Sequence, residues 1–119
     1  MQVTSYQAPN FVGGHPPVMR QQVLASTGAD VELAAGAVLG VVAATGKAVP
    51  LAPGADDGSQ QAALILVEDA SVPAAGDAVA NVYVHGEFRR RGLGWPQGAT
   101  PEQVDAAVLE LAARGLYVK

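Results

Sequence analysis

Ala62-Ala63-Leu64-Ile65-Leu66-Val67-Glu68 is the most apolar run in the chain, and its reading decides the fold class. It is too short for a stable helix and ends at a charged residue, and loop-forming sequence precedes it. A continuous rather than alternating run of this length is a strand buried on both faces. Working outward toward the N-terminus, Pro53-Gly54-Ala55-Asp56-Asp57-Gly58 is a loop. Before it, residues 38–44 form a second apolar run rich in β-branched side chains. Thr45-Gly46-Lys47 makes a turn, and residues 48–51 return as a hairpin partner. Pro50 has no N–H to give a ladder, so that return strand belongs at a sheet edge. Val31-Glu32-Leu33 is a shorter alternating stretch.

Toward the C-terminus, Pro73 and a Gly76-Asp77 turn lead into a strand over residues 78–84. A short Glu87-Phe88-Arg89 segment follows Gly86. The best-defined element is a helix opened by Thr100. Its hydroxyl caps the first turn, Pro101 suits the first helical position, and Gln103 completes a capping box. Val104, Ala107, Val108 and Leu111 fall on one stripe, and Gly115 ends the helix. Leu116-Tyr117-Val118 closes the chain as a strand. The expected class is α+β, mostly β: a small compact body over residues 23–119 with one C-terminal helix.

Residues 1–22 read differently. Gly13-Gly14 and Pro16-Pro17 resist regular structure, and Tyr6, Phe11, Val12 and Val18 are scattered without period. This is the composition of a flexible N-terminal arm whose apolar residues order against a partner. Tyr6, Phe11, Val12, His15, Pro16 and Val18 are its candidate contacts.

The chain has 119 residues, enough for one body. Half of it is nominally hydrophobic, yet it holds only one Trp, three Tyr and two Phe, so the core is built from small side chains. Such a core points to modest stability alone and to help from other subunits. The net charge of −4 argues against nucleic acid or anionic lipid as partner. The polar start lacks a secretion signal, and no apolar run reaches membrane-spanning length, so a soluble protein is expected.

Little here suits catalysis. There is no Cys, and His15 and His85 stand apart without metal-ligand spacing. Asp56 and Asp57 read as turn residues. Ser26, Ser59 and Ser71 lack a nucleophile elbow. No catalytic residue, metal or cofactor is expected. Arg89-Arg90-Arg91 is the one basic cluster. In an acidic chain, with no aromatic interleaved, it reads as a solvated face or a donor of subunit salt bridges. Trp95, with Pro96 and Phe88, is the candidate anchor for the core or a subunit interface.

From about Asp30 onward the sequence resembles the lambda-type head decoration proteins of bacteriophages. Ala35-Gly36-Ala37-Val38-Leu39-Gly40 opens the body, and Asp56-Asp57-Gly58-Ser59-Gln60 leads into the apolar strand. Asp77 follows, then Val82-Tyr83-Val84-His85-Gly86-Glu87-Phe88, the Gly94-Trp95-Pro96 corner, and a helix stopped by Gly115. The resemblance implies homotrimers on the outside of an expanded icosahedral head at local threefold positions, where they reinforce it against packaged DNA. It further implies the major capsid protein as partner, an arm that adds a strand to the shell, and synthesis in the host cytoplasm. Readings from other classes are a tail or baseplate module, or a small β-rich ligand-binding domain.

Overall fold

The computed structural model describes residues 16–119. Eight strands and one helix run in the order β1 (Val18–Leu24), β2 (Val31–Leu33), β3 (Val38–Val41), β4 (Ala48–Pro50), β5 (Leu64–Leu66), β6 (Ala70–Val72), β7 (Ala78–Phe88), α1 (Pro101–Ala113) and β8 (Leu116–Val118). A 3-10 turn at Arg90–Gly92 separates β7 from α1. The fold is mostly β with one C-terminal helix, the expected class.

The strands β4, β3, β5 and β7 pair in that order, and β1 pairs with β7 along its length. β1 also touches β4 through one parallel bridge, Leu24 to Ala48, with the Ala25 N–H donating to the Ala48 carbonyl at 2.9 Å. Those contacts close β1, β4, β3, β5 and β7 into a small ring. β8 adds parallel to the far end of β7, from Gly86 to Phe88, and β2 and β6 form a separate two-stranded ribbon.

Burial explains the continuous apolar run. Leu64 and Leu66 of β5 join one core cluster with Leu24, Leu39, Val72 and Val82, inside the ring. Ile65 points the other way, into a second cluster with Val38, Ala107, Leu111 and Leu116, beneath α1. β3 divides likewise, Leu39 to the first and Val38 to the second, so neither strand has a solvent face. The β3–β4 hairpin forms as expected, Leu39 opposite Pro50 and Val41 opposite Ala48. The Leu51 N–H reaches the Val38 carbonyl at 3.0 Å, so by antiparallel alternation the Pro50 nitrogen faces away from β3, where no donor is needed.

The capping box of α1 is complete: Thr100 Oγ1 accepts from the Gln103 N–H at 3.1 Å, and Gln103 Oε1 accepts from the Thr100 N–H at 2.9 Å. Ala107 and Leu111 of the expected stripe are buried, while Val104 and Val108 are half-buried.

One carboxylate joins segments of the ring, and a second closes a turn within a loop. Asp77 receives Lys47 Nζ at 2.6 Å and the Ser26 N–H at 2.8 Å, joining the end of β1 to the starts of β4 and β7. The Lys47 contact, then the Ser26 amide, holds the Asp77 carboxyl below its usual range. Asp57 Oδ1 accepts from the hydroxyl and then the amide of Ser59, which lowers it too. This is turn chemistry, as the sequence suggested for Asp57. A carboxyl depressed by folding stabilises the folded state above its unfolded pKa, and that contribution disappears as pH falls through the folded value. The melting temperature should therefore decline as pH drops below the ordinary aspartate value of 3.8. Asp77→Asn should flatten part of that decline in a pH series of thermal melts; an identical acid limb in wild type and variant would remove Asp77 from the account.

Candidate functional site

The expected arm boundary after residue 22 falls inside β1. Val18 opens that strand opposite His85, and Met19, Arg20, Gln21 and Gln22 pair with β7 at Tyr83, Val82, Asn81 and Ala80. Residues 18–22 are therefore part of the ring sheet. Tyr6, Phe11, Val12 and His15 lie outside the described residues, and Pro16 is exposed just ahead of β1.

The β1–β7 pair presents the most conspicuous apolar surface. Val18, Met19, Val23 and Val79 are 49, 55, 38 and 62 % exposed. Val23 stands directly opposite Val79, and Met19 opposite Tyr83, so these side chains share the outer face of the pair. β1 meets β4 only at Leu24, so among the described residues its other edge is unpaired from Val18 to Val23. An open edge with an apolar face is equipped for strand addition.

A second surface surrounds Trp95. Gly36 makes its corner possible. The residue has φ +90, and a Cβ there would lie 2.6 Å from the Gly92 carbonyl oxygen. With that space free, the Gly94 N–H donates to the Gly36 carbonyl at 2.8 Å and the Val38 N–H to the Gly94 carbonyl at 3.0 Å, anchoring the corner to the start of β3. Trp95 Nε1 then donates to the Arg90 carbonyl at 3.1 Å. The Lys119 N–H donates to the Phe88 carbonyl at 2.8 Å, and the Arg90 N–H to the Lys119 carbonyl at 3.0 Å. The result is an open depression of about 650 Å³ lined by Arg89, Arg90, Arg91 and Lys119 around Leu93 and Trp95.

Trp95 and Phe88 are both half-buried against the second core cluster, and the Phe88 ring sits 5.1 Å from that of Tyr83. Pro96 is half-buried beside Trp95. Trp95→Ala should lower stability by about 2 kcal/mol, less than a wholly buried aromatic would cost. Thermal melting checks this, and an unchanged midpoint would mean the ring contributes only at an interface.

The sequence offered Arg89-Arg90-Arg91 without an aromatic; folding supplies one from four residues downstream. The membership of Lys119 had no sequence signal, because the parallel β7–β8 pairing brings it there. Met19 and Val79 were missed for the same reason: their shared face exists only once β1 and β7 pair. His85 packs edge-on against Tyr117, ring centroids 6.0 Å apart. Among the described residues no group of three His, Asp and Glu side chains could hold a metal ion, and no helix is long and apolar enough to cross a membrane.

The described residues thus form a small β ring with an open apolar edge and a basic corner. The family comparison makes the class specific. The model of the bacteriophage lambda head decoration protein D family matches residues 4–116, and the chain belongs to that family. It is a capsid decoration protein of the phage head, in a family of structural rather than enzymatic proteins. No curated relative matches the chain.

Proposed function

We propose that this protein binds the outer surface of the expanded head as trimers at local threefold positions and stabilises the shell against the pressure of packaged DNA. The arm of residues 1–17 and the free edge of β1 make the contact with the major capsid protein. The observation that carries this reading is the open β1 edge directly downstream of the arm, with Met19, Val23 and Val79 exposed on its outer face. A strand-forming segment of the shell or of the arm would find unpaired backbone groups there beside an apolar surface. The net charge of −4 suits a position outside the shell, away from DNA. The core also supports subunit-dependent stability. Ala48, Ala62, Ala63, Ala80 and Ala107 are among its buried residues, and each buries little area. Synthesis in the host cytoplasm is compatible with a chain that has no cysteine.

Purified protein mixed with expanded, undecorated heads and imaged should give density capping the local threefold positions. The decorated heads should also withstand heating or chelation better than bare ones. Density at other positions, or none, overturns this reading.

A further inference from the structure

Four of the chain's seven Lys and Arg residues line the one depression at the Trp95 corner. Their own chain does little to neutralise them. Arg90 meets only the exposed Asp105, at 3.0 Å, and Lys119 reaches Glu87 at 3.8 Å. Arg89 and Arg91 have no carboxylate partner among the described residues, and residues 1–15 contain no Asp or Glu. Four like charges around one hollow repel each other, so the arrangement favours an acidic occupant.

The same molecule carries a complementary surface. No Lys or Arg occurs in residues 21–46 or 48–88, and the β2–β6 ribbon falls within those spans. Asp30, Glu32, Glu68 and Asp69 lie on or beside it. Asp30 and Glu32 line one groove with Ser71. Asp30 Oδ1 accepts from the Ala74 N–H, Asp69 Oδ1 from the Ala35 N–H, and Glu32 from the Ser71 hydroxyl, all at 2.7–2.8 Å. Each bond fixes a carboxylate while leaving it lone pairs for a guanidinium.

Position links the two surfaces. Trp95 lines the arginine depression on one side and, on the other, a groove that contains Glu32. A corner with opposite charges on its two flanks is a wedge, and copies of a wedge can close head to tail around an axis.

We infer that the arginine-lined depression of one copy receives the acidic β2–β6 ribbon of the next copy around the ring, with Trp95 at the seam. Arg and Trp are the side chains that most often dominate such contacts. The inference rests on the trimer reading above and names the surfaces that build it.

The test is sedimentation equilibrium of the full chain up to millimolar concentration, with head occupancy measured in parallel. Arg89→Glu/Arg91→Glu should weaken self-association about 100-fold, and Glu32→Lys about tenfold. The triple variant should regain about tenfold over the double, because the charges are exchanged rather than lost. Thermal melts confirm that each variant folds. Wild-type association should weaken as salt rises. Unchanged association in Arg89→Glu/Arg91→Glu overturns the inference, as does a wild-type chain that stays monomeric throughout. If reversal instead abolishes binding to a duplex oligonucleotide and leaves self-association intact, the depression is a nucleic-acid site and the inference falls. A chain that associates as described yet leaves heads bare overturns the decoration geometry alone.

Discussion

Removing residues 1–15 should abolish decoration of expanded heads while the remaining body melts as the full chain does. The body should survive that cut because, among the described residues, the first strand begins at Val18. The seven β1 residues all pair with β7, and Leu24 closes the ring onto Ala48. A cut at residue 20 would be a poorer experiment, since it deletes Val18, Met19 and Arg20 from the sheet and confounds folding with binding. Tyr6, Phe11 and Val12 are among the apolar residues the arm offers for burial on a shell. Ordering it costs about 1–2 kcal/mol per residue in backbone entropy, so docking must recover this through strand pairing and apolar burial. Pro16-Pro17 contributes no N–H, so an added strand ends before it and β1 starts after it. The expected loss of affinity is more than about 100-fold. Saturation of heads by the truncated protein at wild-type concentrations would place binding in the body.

The elements legible in the sequence were those whose cause is local. Thr100, Pro101 and Gln103 specify the helix start by their own hydrogen bonds, and Thr45-Gly46-Lys47 brings two adjacent β runs together. β1 was illegible for the opposite reason. Val18-Met19-Arg20-Gln21-Gln22-Val23-Leu24 has neither alternation nor a buried run, and only Leu24 is buried. It is a strand because β7, some sixty residues away, lends it a ladder. β7 likewise continues past Gly86, where the sequence suggested a break, because β8 pairs with that end. β6 is three residues long and carries no readable period. The same distinction governs the surfaces. Trp95 and Phe88 stood out by residue type, whereas the gathering of Lys119 with the arginines and the open edge of β1 are products of long-range pairing.

Gly40→Ala should be among the most damaging single substitutions in the body, although it adds one methyl group. Gly40 lies in β3 between the two core clusters, and the loop after β4 crosses directly over it. A Cβ at Gly40 would stand 2.4 Å from the Ser59 carbonyl oxygen, 2.7 Å from Ser59 Cα and 2.8 Å from its carbonyl carbon. All three are backbone atoms, so no rotamer change relieves the clash; either β3 or the loop must move. The loop is held by bonds on both sides. The Ala52 N–H donates to the Ser59 carbonyl at 3.0 Å, the Ala43 N–H to the Asp57 carbonyl at 2.8 Å, and the Gly58 N–H to Gln60 Oε1 at 2.8 Å. Ser59 itself is buried, so displacing it would strand polar groups without water. β3 has no better escape, since Leu39 and Val38 are locked into opposite clusters. Overpacking at such a site costs about 3 kcal/mol, or about 15 °C in melting temperature for a body this size. Gly76→Ala is the matched control, because a Cβ there meets nothing within 4 Å and its φ is not in the left-handed region. It should be neutral or stabilise by about 0.5 kcal/mol through the unfolded chain. Parallel melts of the two variants decide the matter: equal midpoints would mean that the Ser59 loop yields freely and does not clamp β3.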